Sequence, residues 1–213
     1  MRNLVRRTSV AALAALALAG CAADDGGGDG AAPDATAGGT PASTPVVTGV
    51  PVATATLQDV DGEDVGDVQL IPEGEGMRVV VHVHGGLEPG FHGFHVHAVG
   101  ECDPESSPPD DPSRTGAFLS AGGHLGADEG DHGAHAGDLP SLYVTEDGTA
   151  HLETVTDMLT DADLLDDDGS AVMVHSGRDN FANVPERYAP QGPDDETLRT
   201  GDSGDRVACG VLE

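Results

Sequence analysis

From Val50 onward, apolar and β-branched residues recur in short runs separated by Gly, Pro, Asp and Asn. The runs are Val52–Leu57, Val65–Ile71, Met77–His84, Phe91–Val99, Leu142–Val144, Ala150–Val155, Ala171–His175 and Arg206–Leu212. Several alternate apolar with polar positions, the period of a strand with one face buried. Turn signals stand between them, Asp61-Gly62 after the first and Gly85-Gly86 after the third. Eight short strands with this punctuation predict an all-β sandwich or barrel. Only Thr160–Leu165 has the composition of a helical turn. The stretches Cys102–Pro140 and Ser176–Asp205 are too long and too polar for simple turns, and long loops on a compact scaffold usually carry function.

The segment ahead of the domain obeys different rules. Arg2, Arg6 and Arg7 form a basic start, followed by an apolar run from Val10 to Ala19 that is too short to span a bilayer. It ends in Leu18-Ala19-Gly20-Cys21, which resembles a bacterial lipobox. That resemblance implies a lipoprotein signal over residues 1–20, cleavage before Cys21 and acylation of its thiol. An ordinary signal peptide with an incidental cysteine is the alternative, and either signal predicts export. The lipoprotein reading adds anchoring to the outer face of the cell membrane, or a periplasmic location. Residues 21–49 are Asp, Gly, Ala, Pro and Thr with few large apolar side chains, too little to offset ordering entropy, and predict a disordered tether. Residues 50–213 are the folded domain.

Charge narrows the partners. The chain has a formal net charge of −29, and its nine basic residues are all arginine. Removing residues 1–20 takes three of these arginines and none of the 38 acidic residues, so the remainder is more acidic still. Nothing here could neutralise phosphates, which excludes nucleic-acid binding. With Cys21 lipidated, Cys102 and Cys209 remain as a pair, and in an exported protein such a pair usually forms a disulfide. Two free thiols are the alternative.

Ten histidines in so acidic a chain invite a metal reading. On a strand, His95 and His97 point to one face with Cα atoms about 6.5–7 Å apart, close enough for both imidazoles to hold one ion. Such a pair is a weak signal alone. Its context is Gly90-Phe-His-Gly-Phe-His95-Val-His97-Ala-Val-Gly100-Glu-Cys102, followed by Ser120-Ala-Gly-Gly-His124, Gly137-Asp138-Leu139, Val172-Met-Val-His175 and Gly204-Asp-Arg206-Val-Ala-Cys209. These five motifs, in this order, closely resemble the copper/zinc superoxide dismutase family over nearly all of residues 50–213.

The resemblance implies an eight-stranded Greek-key barrel whose two long loops build the active site, with superoxide as substrate. It implies copper at His95, His97, His124 and His175, with His124 bridging copper to zinc and serving as a proton donor. Arg206 matches the arginine that guides the anion, and a Cys102–Cys209 bond would pin the active-site loop beside it. It implies zinc at His124, His132, His135 and Asp138, with Asp179 linking the copper-side and zinc-side imidazoles. The interval from His132 to His135 is several residues shorter than the family norm, and some members with shortened loops dispense with zinc. A loop this short leaves open whether His132 reaches the site. His92 matches a buried, hydrogen-bonded position, while His82, His84 and His151 read as strand-surface residues. Two rivals stand beside this reading. A cupin-type metalloenzyme would use His95, His97 and Glu101, but no second cupin motif follows. A non-catalytic copper-binding lipoprotein would bind metal without turnover.

Overall fold

A computed structural model describes residues 49–213. The signal segment, Cys21 and all but the last residue of the tether lie outside the described residues. Among these residues nine strands form: β1 Ala53–Asp59, β2 Asp64–Glu73, β3 Gly76–Val83, β4 Gly90–His92, β5 Phe94–His97, β6 Leu142–Val144, β7 Ala150–Thr156, β8 Ala171–His175 and β9 Arg206–Val211. Strands β4 and β5 are one run parted at Gly93, so seven of the eight runs of the sequence become one strand each and the fourth becomes two. The expected helical turn is α1, Asp161–Leu164, opened by a Thr160/Asp163 capping box. A second, α2, covers Thr197–Thr200 in the last long loop and has no counterpart in the sequence reading.

Seven strands make one antiparallel sheet in the order β5-β8-β9-β1-β2-β3-β7, and β4 pairs with β6. Because β4 runs into β5 and β6 turns directly into β7, this small ribbon links the two edges of the large sheet and curls it toward a barrel. The alternation fills the inside. Ala53, Ala55 and Leu57 of β1, Val68 and Leu70 of β2, and Val79 and Val81 of β3 join Phe94, Val96, Val172, Val174 and Ala208 in one buried core.

Strands β5 and β8 are buried on both faces. Their outward side chains are His95, His97, Ala171, Met173 and His175, and the long loops cover them. Beneath the first loop a second apolar cluster gathers Phe118, Ala121, Ala171, Met173 and Cys209. Cys102 packs against it and is disulfide-bonded to Cys209, with 5.7 Å between Cα atoms. The bond ties the start of the loop to β9 across 107 residues. In the chain-entropy account, closing so long a loop stabilises by about 4.7 kcal/mol, and commonly by less in practice. Replacing both Cys102 and Cys209 by Ser is therefore expected to lower the unfolding free energy by about 2–5 kcal/mol. Urea denaturation of parent and variant checks this, and an unchanged midpoint would remove the cross-link from the stability of the domain.

Candidate metal centre

Two backbone devices assemble the site. The free edge of β5 is covered by the loop rather than left open. Val96 donates its N–H to Gly137 O at 2.8 Å, and Val96 O accepts from Leu125 N at 2.9 Å. These bonds set Asp138 level with His95 and His124 level with His97. Gly137 is required there, because a Cβ would lie 2.2 Å from Val96 O. The second device is a slip in register between β8 and β9, where Val174 pairs with Ala208 but His175 pairs with Arg206. Residues three apart on a regular strand point to opposite faces. The extra residue returns Arg206 to the outer face with Cys209, a re-aiming that bulges commonly provide beside functional sites.

Seven of the candidate residues now meet. The donor atoms of His95, His97, His124 and His175 lie within 4.8 Å of one another, all four residues buried. The rings of His95 and His175 are 4.8 Å apart between centroids, and those of His97 and His175 5.7 Å. His124 Nδ1 is 2.9 Å from Asp138 Oδ1, His132 Nδ1 is 3.0 Å from the same oxygen, and His135 Nδ1 is 3.3 Å from Asp138 Oδ2. The short interval between His132 and His135 thus brings both rings to Asp138. A second set of donors within 4.8 Å comprises His95, His124, His132 and Asp138. His95 has only one ring nitrogen to give, so His135 is the better fourth member.

The tautomers explain why these rings face inward. His97 Nδ1 donates to Gly122 O at 2.9 Å, and His175 Nδ1 lies 3.2 Å from Gly204 O. His95 Nε2 donates to Asp179 Oδ2 at 2.7 Å, His132 Nε2 to Asp179 Oδ1 at 2.8 Å, and His135 Nε2 to Gly130 O at 3.1 Å. In a neutral imidazole one nitrogen donates and the other carries a bare lone pair. The inward nitrogens, His95 Nδ1, His97 Nε2, His132 Nδ1, His135 Nδ1 and His175 Nε2, are the five buried side-chain atoms left without a hydrogen-bond partner among the described residues. A buried acceptor with no donor is costly, and a lone pair aimed at a carboxylate oxygen is worse. Cations at the two foci satisfy every one of them. The donor set fits copper at the four-imidazole cluster and zinc at the three imidazoles and carboxylate.

Charge follows from the same packing. Burial holds His97 and His175 well below the ordinary histidine range, helped at His97 by the Arg206 guanidinium and at His175 by His95. Burial also pushes His124 down to about 4, against the hydrogen bond to Asp138. At His132 burial is outweighed by Asp138 and Asp179, which lift it to about 9, so without metal Nδ1 carries a proton toward Asp138 that a bound cation would displace. Both carboxylates lie far below their ordinary range because hydrogen bonds from His124 and His132, and from His132 and His95, overcome burial.

Arg206 donates through Nη1 to Phe118 O at 2.5 Å and through Nη2 to Gly122 O at 2.6 Å. Gly122 O is the carbonyl that also holds His97, so guanidinium and metal ligand are fixed to one point. Burial lowers Arg206 to about 10, still charged at neutral pH. His92 is buried as expected, its ring nitrogens against the carbonyls of His175 and Glu88. His82 and His151 lie on the strand surface and His84 just past the end of β3, all apart from this centre. Sequence reasoning missed Phe181, whose ring lies face to face with His132, and Gly201, where a Cβ would stand 2.1 Å from Asp179 Oδ1 and 2.3 Å from His132 Nε2. No motif flags either; only the packing of the last loop does.

The titrations predict how the metal-stripped protein responds to pH. His97, His124 and His175 have folded values below the unfolded 6.5, so the unfolded chain binds more protons and stability falls as pH drops from about 6.5 toward 4. His132 is raised, so its contribution is complete below about 6.5 and is lost as pH climbs through about 9. After chelation, denaturant titrations should place maximal stability between pH 6 and 8. A protein most stable at pH 4 would contradict this charge assignment.

Comparison with known proteins agrees with the geometry. Residues 65–212 match the family profile described as copper/zinc superoxide dismutase. The chain is 43% identical over 169 residues to "Superoxide dismutase [Cu-Zn]" of Mycolicibacterium paratuberculosis, covering 76% of this chain and 74% of that one. It is 50% identical over 133 residues to the protein of the same name from Mycobacterium tuberculosis, covering 60% of this chain and 55% of the relative's length. Among solved structures, the Cu/Zn superoxide dismutase of Brucella abortus superposes with a TM-score of 0.58 at 28% identity, covering 75% of this chain and 98% of that one. Fold, donor set and sequence agree: the chain belongs to the copper/zinc superoxide dismutase family.

Proposed function

We infer that the chain dismutates superoxide, two superoxide anions and two protons giving O₂ and H₂O₂. His95, His97, His124 and His175 would hold copper, and His124, His132, His135 and Asp138 would hold zinc beside it. The observation that carries this reading is the set of five buried imidazole nitrogens that outer hydrogen bonds turn inward and leave without a partner. Copper bound there would supply the one-electron redox couple that the reaction needs.

The chain's own residues bind the anion, orient it and move a proton. Arg206 uses one N–H of each terminal nitrogen on backbone carbonyls, and its remaining N–H groups are available to superoxide. Because Gly122 O fixes both Arg206 and His97, the anion is presented to the copper ligands in one orientation without reordering the site. His124 belongs to both clusters through its two nitrogens. Its Nδ1 faces Asp138, which leaves Nε2 for the copper side and as the proton-carrying atom toward peroxide. Asp179 joins His95 and His132 through separate oxygens and orients one ring in each cluster. A guanidinium fixed beside the ligands is what a merely copper-storing protein would lack.

The domain acts outside the cytoplasm, held to the membrane by a lipid on Cys21. The basic start, the short apolar run and Leu18-Ala19-Gly20-Cys21 support this reading. So does the pairing of Cys102 with Cys209, which leaves Cys21 as the third of three cysteines.

His175→Ala is expected to lose copper and activity together, whereas Arg206→Glu should keep both metals and slow turnover on the order of a hundredfold. Metal analysis with a dismutation assay decides between these outcomes, and full turnover in Arg206→Glu would remove the guanidinium from the mechanism. Cells fed a labelled lipid precursor should label the parent and not Cys21→Ser. An unlabelled mature protein retaining Cys21 as a free thiol would overturn the anchor.

A further inference from the structure

His82 and His151 lie on the outer face of the large sheet. There Asp67 of β2, His82 of β3 and His151 of β7 stand side by side at one level, Asp67 opposite His82 and His82 opposite His151. The two rings stack with centroids 4.6 Å apart and planes inclined by 30°, and His82 Nδ1 is 3.6 Å from Asp67 Oδ2. Directly opposed residues of antiparallel strands hold their Cβ atoms about 4.5–5.5 Å apart, close enough for two imidazoles to share one ion.

We propose that Asp67, His82 and His151 form a surface site for a borderline divalent cation such as Zn(II) or Cu(II), separate from the buried metal centre. Two imidazoles and a carboxylate are the donors such ions prefer, with solvent completing the shell. Three hydrogen-bonded strands fix the donor positions, so binding orders side chains only. The side chains of His82 and Asp67 are 45% and 52% exposed. Among the described residues no hydrogen bond holds either ring, unlike the imidazoles of the buried centre. The stacked rings therefore have freedom to turn about χ1 and χ2 and bring their nitrogens onto one ion.

The neighbours favour a cation. Arg78, the nearest positive side chain on the same face of β3, is engaged by Glu73 and Glu153. The strong negative charge of the chain raises the local concentration of cations. His84 is not part of the site, since its Nε2 sits 3.0 Å from Asp64 O beyond the end of β3.

The test is calorimetric titration of Zn(II) into protein already loaded with copper and zinc, in about 0.15 M salt to screen the general acidic field. One further equivalent is expected to bind, shifting the ring resonances of His82 and His151. His82→Gln and His151→Gln should each weaken this binding about tenfold or more while dismutation is unchanged. No further uptake by the parent overturns the proposal. So does parent-like binding in either variant, which would assign the uptake to the acidic surface at large.

Discussion

Six buried imidazoles and one carboxylate converge where the protein supplies no donor for their inward nitrogens, and this constraint governs the molecule. An unsatisfied buried polar atom costs about 1–3 kcal/mol, and the four of His95, His97, His135 and His175 together rival the net stability of a domain. The cluster is therefore unfavourable as a purely protein core and favourable as a pair of cation sites. What makes it specific lies one layer out. Carbonyls of Gly122, Gly204 and Gly130, with both oxygens of Asp179, fix which nitrogen of each ring carries its proton. The interior lone pairs follow from those exterior bonds.

Holding the rings in place requires a scaffold stiff on both sides. Strands β5 and β8 provide it because they are packed inward against the barrel core and outward against loops. The loops in turn are held by main-chain bonds to β5, by Asp179 reaching from the last loop to rings of both clusters, and by the Cys102–Cys209 bond. The disulfide enters the same outer apolar cluster as Phe118, whose carbonyl accepts from Arg206. Stability and active-site geometry thus share their contacts.

The electrostatics carry an apparent conflict, since an acidic protein acts on an anion. Screening resolves it: at physiological ionic strength the field of distant carboxylates decays over about 8 Å. Within that radius Arg206 is a half-buried cation held rigidly by two carbonyls. The carboxylates nearest the centre, Asp138 and Asp179, are committed to histidines rather than to solvent.

Much of this was legible from residue order. Period-two alternation gave the strands, because a side chain's face depends only on its parity along the strand. His95 and His97 shared a face for the same reason, and the spaced motifs around His124, His175 and Asp138 carried the family resemblance. Other features belonged to tertiary structure alone. Whether His132 and His135, so close together, both reach Asp138 depends on the path of a loop clamped to β5. Arg206 and Cys209 share a face only because the register slips beside His175, and counting residues puts them on opposite sides. Phe181 and Gly201 matter through what packs on them. His82 reads as a surface residue until β7 brings His151 beside it. The sequence by itself determined which residues could serve as ligands, since that is set by side-chain chemistry and local periodicity. Which of them meet, and with which nitrogen facing inward, was decided by contacts between segments far apart in the chain, where local spacing holds no information.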